Sequence, residues 1–111
     1  MSMTDNLEKM LAGGRDDAML RFGLGSAYFN EKRYEDAIRH LQVCLEHDEG
    51  YSAAYKMLGK AYFQLGNLDA AIEVFQKGLP IATSAGDKQS QKEIEVFLNK
   101  ALNKMRDEDG A

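Results

Sequence analysis

Three residues that can ligate a metal ion follow one another in a single predicted helix. His40, Cys44 and His47 are spaced i, i+4 and i+7, so their side chains fall within about 60° of one another, since each helical residue advances ~100°. Imidazole nitrogen and thiolate sulphur are ligands that zinc prefers, but a structural zinc ion takes four ligands in closed geometry. The spacing therefore suggests a metal site without completing one.

Other patterns that would support catalysis are incomplete. Gly23-Leu24-Gly25 lacks the third glycine and the preceding strand that a dinucleotide-binding loop requires. The sequence has no glycine-rich loop ending in Lys-Ser or Lys-Thr, and no predicted element gathers a serine, a histidine and an acid. We therefore predict that the protein is not an enzyme and that it binds no metal and no cofactor.

Length and charge narrow the class of partner. The chain has 111 residues, room for one domain, and a net charge of -4 that repels phosphate backbones, so we expect no nucleic acid. No basic segment precedes an apolar one at the start, and no stretch reaches the ~20 apolar residues that span a bilayer. With a single cysteine as well, we expect a cytoplasmic protein that makes no membrane contact.

Apolar residues recur at helical spacing and predict six helices. Asp5, with Glu8 three residues on, predicts the start of the first helix. Gly78 and Pro80 fall in the last two turns of the fifth, where proline removes a backbone donor, so we expect a kink or a weakened end. The acidic tail has nothing to bury and is expected to be disordered. The predicted helices cover 4–12, 16–31, 34–47, 51–65, 68–82 and 87–105, and the tail is 106–111.

The chain repeats itself with a period of 34 residues. Leu24-Gly25-Ser26-Ala27-Tyr28-Phe29 returns as Leu58-Gly59-Lys60-Ala61-Tyr62-Phe63, and the same offset relates Ala37-Ile38 to Ala71-Ile72. Self-similarity at one spacing predicts stacked copies of one helical hairpin.

The repeated residue types explain how such hairpins would pack. A mid-helix glycine costs about 1 kcal/mol relative to alanine, so it is tolerated best where a second backbone comes close. Ala37 and Ala71 supply the matching small surface on the facing helices. We expect Tyr28 and Tyr62 to fill the wedge between neighbouring helices, with each hydroxyl near a polar partner.

The repeat resembles the tetratricopeptide repeat (TPR), a 34-residue hairpin with the pattern W-x2-L-G-x2-Y, A-x3-F and P. Neither copy has the opening Trp or the closing Pro. The positions that carry the pattern are Arg21, Leu24, Gly25, Tyr28, Ala37, Leu41 and Glu49 in the first copy, and Tyr55, Leu58, Gly59, Tyr62, Ala71, Phe75 and Thr83 in the second.

The resemblance implies an all-α TPR solenoid of antiparallel helix-turn-helix units. Repeat 1 would occupy 18–51, repeat 2 would occupy 52–85, and the helix at 87–105 would cap the second repeat. The short N-terminal helix would then partly cap the first repeat. The resemblance also assigns Cys44 to a slot that TPR units give to a small buried alanine, where a free cysteine behaves as a hydrophobe. That assignment weakens the zinc interpretation.

By the same resemblance, the first helix of each repeat lines a concave groove that binds a peptide or a partner helix. The predicted groove residues are Met19, Phe22, Ser26, Phe29 and Asn30 in repeat 1, and Ala53, Lys56, Lys60, Phe63 and Gln64 in repeat 2. Several are apolar, and contiguous exposed apolar surface usually marks an interaction site. The other interpretation of these apolar residues is that the N-terminal helix folds over them as part of the core.

The groove residues indicate the kind of partner. Some TPR proteins hold the carboxylate of a chaperone tail with Lys, Asn and Arg, but the corresponding residues here do not match that set: Phe22, Ser26, Met57, Asp87 and Gln91. We expect instead an apolar-faced helix or an extended aliphatic segment, with Lys56 and Lys60 contacting acidic residues at its rim. We predict a non-catalytic adaptor, chaperone or assembly subunit. The alternative is a self-associating protein that forms a homodimer through the groove or the capping helix.

Overall fold

A computed structural model describes residues 2–110, in which all regular structure is α-helical. The six helices are α1 (Met3–Ala12), α2 (Ala18–Asn30), α3 (Tyr34–His47), α4 (Ser52–Gln64), α5 (Leu68–Ala85) and α6 (Lys88–Gly110). Across these residues, no helix combines the length and the apolar character that crossing a bilayer demands. The all-α fold predicted from the repeat is confirmed.

In each hairpin a glycine leaves room for a side chain of the facing helix, and we call this gap a glycine notch. A Cβ atom placed on Gly25 would lie 2.6 Å from Cγ of Leu41, and one placed on Gly59 would lie 2.2 Å from Cε1 of Phe75. Because a side chain at either position would collide with the facing helix, glycine allows α2 to approach α3 and α4 to approach α5.

The two repeated tyrosines lie between neighbouring helices. Tyr28 is buried, and its hydroxyl donates a hydrogen bond to Glu8 on α1 at 3.2 Å. Tyr62 is half-buried between the two parts of the core, and its hydroxyl accepts a hydrogen bond from Gln42 at 3.0 Å. Each ring therefore buries apolar area while its hydroxyl has a polar partner, as the sequence predicts.

Helix α1 packs on the outer flank of α2, away from α4. Leu7 comes within 3.6 Å of the Cβ position of Gly23, and Leu7 and Leu11 pack against the core that α2, α3 and α4 share. The helix begins at Met3, one residue before the predicted start, because Ser2 caps it and Asp5 completes the capping box. Glu8, which the sequence suggested as part of the cap, is thus left to contact Tyr28 and α3.

Helix α5 continues through its proline to Ala85 and is capped by Gly86, which has a φ of 71°. The predicted end at residue 82 is therefore three residues too early. A Cβ atom on Gly78 would lie 2.4 Å from Cβ of Tyr55, so this glycine serves close packing of α5 on α4. With 18 residues, α5 is four residues longer than α3, its counterpart in the first hairpin.

Helix α6 packs along α5 and α4 through Ile94 and Ala101, which are fully buried. It runs to Gly110, so the prediction of a disordered tail at 106–111 is wrong for residues 106–110, while Ala111 lies outside the described residues. Two contacts explain the continuation: Met105 still packs against Leu68 and Ile72, and Arg106 donates to Asn103 at 2.8 Å.

The spacing of the first helices changes after the second hairpin. Helices α2, α4 and α6 begin at Ala18, Ser52 and Lys88, so the first interval is 34 residues and the second is 36. The added length lies in α5. Helix α6 consequently lies where the first helix of a third repeat would lie. Its residues are shifted by two positions from the 34-residue spacing that relates α2 to α4.

Candidate interaction surface

The face formed by α2, α4 and α6, which we call the inner face, contains the predicted groove. Helix α4 lies between the other two and contacts both. Met19, with 69% of its surface exposed, projects freely from α2. Asn30 and Gln64 are also exposed, whereas the remaining predicted residues are half-buried: Phe22, Ser26, Phe29, Ala53, Lys56, Lys60 and Phe63.

Two of the half-buried residues join α2 to the next hairpin. The ring of Phe22 stacks on Tyr51 with centroids 4.9 Å apart. The Ser26 hydroxyl donates to the sulphur of Met57 at 3.3 Å. These side chains are committed to helix packing, so they form the floor of the inner face and leave Met19 and Asn30 as its accessible part on α2.

The two predicted rim lysines are paired within the chain. Nζ of Lys56 lies 3.3 Å from one oxygen of Glu93 on α6, and Nζ of Lys60 lies 3.4 Å from the other. Burial raises the pKa of Glu93, but the hydrogen bonds and charges of the two lysines outweigh it and leave that pKa below its ordinary value. Sequence reasoning missed Glu93, because its place depends on the shifted register of α6.

An aromatic row crosses the inner face, with lysines above it. Lys60 lies between two rings, with Nζ 5.8 Å from the centroid of Phe29 on α2 and 4.9 Å from that of Phe97 on α6. Phe97 meets Phe63 edge to face at 5.8 Å. Cation–π contacts of this kind are worth about 0.5–1 kcal/mol at exposed sites.

Two lysines of α6 extend this row. Nζ of Lys100 lies 4.8 Å from the centroid of Phe97, and Nζ of Lys104 lies 5.6 Å from that of Phe63. Both lysines are exposed. Their ammonium groups nevertheless lie over the rings of the inner face.

The three candidate metal ligands have other partners. Burial raises the pKa of the Cys44 thiol to about 11, which disfavours the thiolate. Nε2 of His47 lies 2.9 Å from the Asp16 carboxylate, and Nδ1 of His40 lies 2.9 Å from Nη1 of Arg21. Within residues 2–110, no group of three or more His, Cys, Asp or Glu side chains is arranged to hold a metal ion.

His40 instead belongs to a polar cluster that ties α1 to the first hairpin. Because a guanidinium only donates, Nδ1 of His40 must accept from Arg21, and the ring proton sits on Nε2, 3.3 Å from Glu8 without a well-aligned hydrogen bond. The ring stacks on Tyr28 at 5.4 Å, and Arg21 also forms two 2.9 Å bonds to Asp16. Burial holds the pKa of His40 below its ordinary value.

The contacts of α1 bear on whether this helix covers the apolar groove residues. Its side chains reach the outer flank of the first hairpin, where Glu8 contacts Tyr28 and Thr4 donates to Glu31. Met19 on the inner face stays exposed. Helix α1 therefore acts as an end cap of the first hairpin and does not bury Met19.

The helical hairpins, the notches and the wedged tyrosines define the class of protein. The chain belongs to the tetratricopeptide repeat family, whose model matches residues 28–86. Proteins of this family are generally non-catalytic modules that bind other proteins.

Individual relatives extend the likeness over nearly the whole chain. A TPR repeat-containing protein of Pseudomonas aeruginosa is 50% identical over 98 residues, which cover 88% of this chain and 93% of that protein. A Bordetella parapertussis protein solved in solution is 37% identical with a TM-score of 0.85, covering 99% of this chain and 96% of its own. A TPR domain crystallised from Salinibacter ruber is 25% identical with a TM-score of 0.73, covering 79% and 98%.

Proposed function

We propose that the protein is a non-catalytic adaptor or assembly subunit that binds a segment of another protein on its inner face. The observation that carries this proposal is the aromatic row, in which α2, α4 and α6 each contribute a phenylalanine to one continuous strip joined through Lys60. Such a strip offers apolar area to a bound segment while neighbouring polar groups fix its orientation.

The exposed side chains of the inner face also support this proposal. Met19 is unbranched and polarizable, which suits adaptable protein contacts, and 69% of its surface is open. Asn30 and Gln64 are exposed at the C-terminal ends of α2 and α4, at the other end of the face from Met19, and offer amide donors and acceptors. A bound segment would thus meet apolar and polar groups on adjacent first helices.

Affinity capture with a charge-matched control tests the proposal. The tagged full chain is compared with M19E/Q64E, which changes two exposed inner-face residues, and with Q76E/S84E, which changes two exposed residues of α5. Proteins bound through the inner face should be retained by wild type and Q76E/S84E and reduced by about tenfold or more with M19E/Q64E, since buried charge is costly at an interface. Equal retention by all three folded proteins would contradict the proposal.

A second candidate function is self-association through α6. Val96 and Leu102 on this helix are 50% and 42% exposed, and pairing of two copies would bury them. Light scattering across a range of protein concentrations tests this function. A dimer that L102E converts to a monomer would favour it, and a monomer at every concentration would exclude it.

A further inference from the structure

We propose that the half of the inner face between α4 and α6 selects an extended acidic segment of a partner protein, with carboxylates meeting Lys100 and Lys104 and apolar side chains resting on Phe63 and Phe97. This inference rests on the proposed function and names the chemistry of the partner.

Charge is the first argument. The whole chain carries -4, yet this half of the inner face brings together four lysines, Lys56, Lys60, Lys100 and Lys104, against Glu93 and against Asp87, whose carboxylate interacts with the charge of Lys56. These six side chains have a net charge of +2. A local positive surface on an acidic protein attracts acidic segments and repels basic ones, and so provides specificity as well as faster association.

The four lysines of this cluster differ in their exposure and in their partners within the chain. Lys56 and Lys60 have side chains only 16% and 24% exposed and share Glu93, so their ammonium groups are largely satisfied inside the chain. Lys100 and Lys104 are exposed and rest on ring faces. A ring stabilises an ammonium without neutralising its charge, which leaves N–H donors for an arriving carboxylate.

The spacing of Lys100 and Lys104 fits a bound segment in extended conformation. Lys100 and Lys104 are four residues apart on α6, a rise of about 6 Å along a helix. Two residues of an extended chain span about 6.6 Å. Acidic residues at alternate positions of an extended segment therefore match the two ammonium groups, while Phe63 and Phe97 provide apolar surface beside them.

Fluorescence anisotropy with defined peptides tests this inference on the full chain. The probe is a labelled peptide of about twelve residues with glutamate at every second position and leucine or serine between, and its control has glutamine for every glutamate. The proteins are wild type, K100E/K104E, and K77E/K88E, which makes the same charge change at exposed positions of α5 and α6. Circular dichroism verifies that each variant is folded.

The inference predicts that wild type binds the glutamate peptide at least about tenfold tighter than the glutamine peptide. K100E/K104E should weaken it by roughly tenfold and K77E/K88E by less than about twofold, since two charge reversals at a contact remove more than 1 kcal/mol. Raising salt from about 0.02 to 0.2 M should weaken binding to wild type and have less effect on K100E/K104E.

Three other results would overturn the inference. The first is equal binding of both peptides, and the second is equal weakening by both variants. The third is wild-type self-association that K100E/K104E abolishes, which would identify the exposed acids Asp107, Glu108 and Asp109 of a second copy as the occupant. The capture experiment with M19E/Q64E remains an independent test, so the acidic specificity can fail while the proposed function stands.

Discussion

Helix α1 closes the N-terminal end of the array with 10 residues, whereas α6 closes the other end with 23. The short helix contributes half-buried leucines and is fastened by hydrogen bonds from Thr4 and Tyr28. The long helix contributes Ile94 and Ala101, both fully buried. Burial of apolar area stabilises a helix equally across the moderate pH range, whereas the stabilisation by a hydrogen-bonded ionisable cluster changes with pH. The two ends should therefore respond differently to mutation and to acid.

The largest expected difference between the ends comes from truncating one apolar side chain in each cap. Ile94→Ala removes a side chain with no exposed surface and should lower the free energy of unfolding by about 3 kcal/mol. Leu7→Ala removes a half-buried side chain of α1 and should cost about 1 kcal/mol. Urea unfolding followed by circular dichroism measures both, and equal losses would show that the ends are fastened alike.

A smaller difference is expected between the hairpins that the two caps cover. Gly59→Ala drives a methyl group into the ring of Phe75, and Gly25→Ala drives one into Leu41. A ring adjusts less readily than a leucine, so after the gain in helix propensity we expect losses of about 2 kcal/mol at Gly59 and about 1 kcal/mol at Gly25. Thermal unfolding in parallel measures the order, and a larger loss at Gly25 would contradict this account.

The smallest expected effect is a pH dependence confined to the N-terminal end. Burial lowers the pKa of His40, whose neutral ring is faced by Glu8, Arg21, Asp36 and Arg39. Chains in which this end opens and exposes His40 therefore bind more protons just below the ordinary histidine pKa of about 6.5, and the free energy that keeps the end closed falls as pH falls below that value. The protection of the backbone amides of residues 3–12 against hydrogen exchange should fall roughly threefold when the pH is lowered from 7.5 to 5.5, after correction for intrinsic rates.

The other end supplies the control for that measurement. The carboxylates Asp87 and Glu93 have lowered pKa values, so their contribution persists until the pH falls below the ordinary carboxyl range near 4. Exchange at 94–105 should therefore stay constant over the same interval. In His40→Gln the change at α1 should disappear, and a variant that kept the full change would rule out His40 as its source.

The repeat predicted the packing because glycine, alanine and tyrosine act at fixed offsets within each hairpin. The notches at Gly25 and Gly59 and the burial of Tyr28 are local consequences of that spacing. The position of α6 was not available from the same pattern, because α5 continues through Pro80 to Ala85 and adds two residues to the interval. The contact of Glu93 with the rim lysines depends on that added length, as do those of Lys100 and Lys104 with the rings.

Helix α6 differs from α2 and α4 at the position where each of those helices carries its notch glycine. Gly25 and Gly59 each lie seven residues after the start of their helices, and the residue at the same distance on α6 is Glu95, which is exposed. Another helix approaching α6 as closely as α3 approaches α2 would meet a charged side chain where the paired helices have none. Pairing a further helix with α6 at the same close approach would thus require Glu95→Gly.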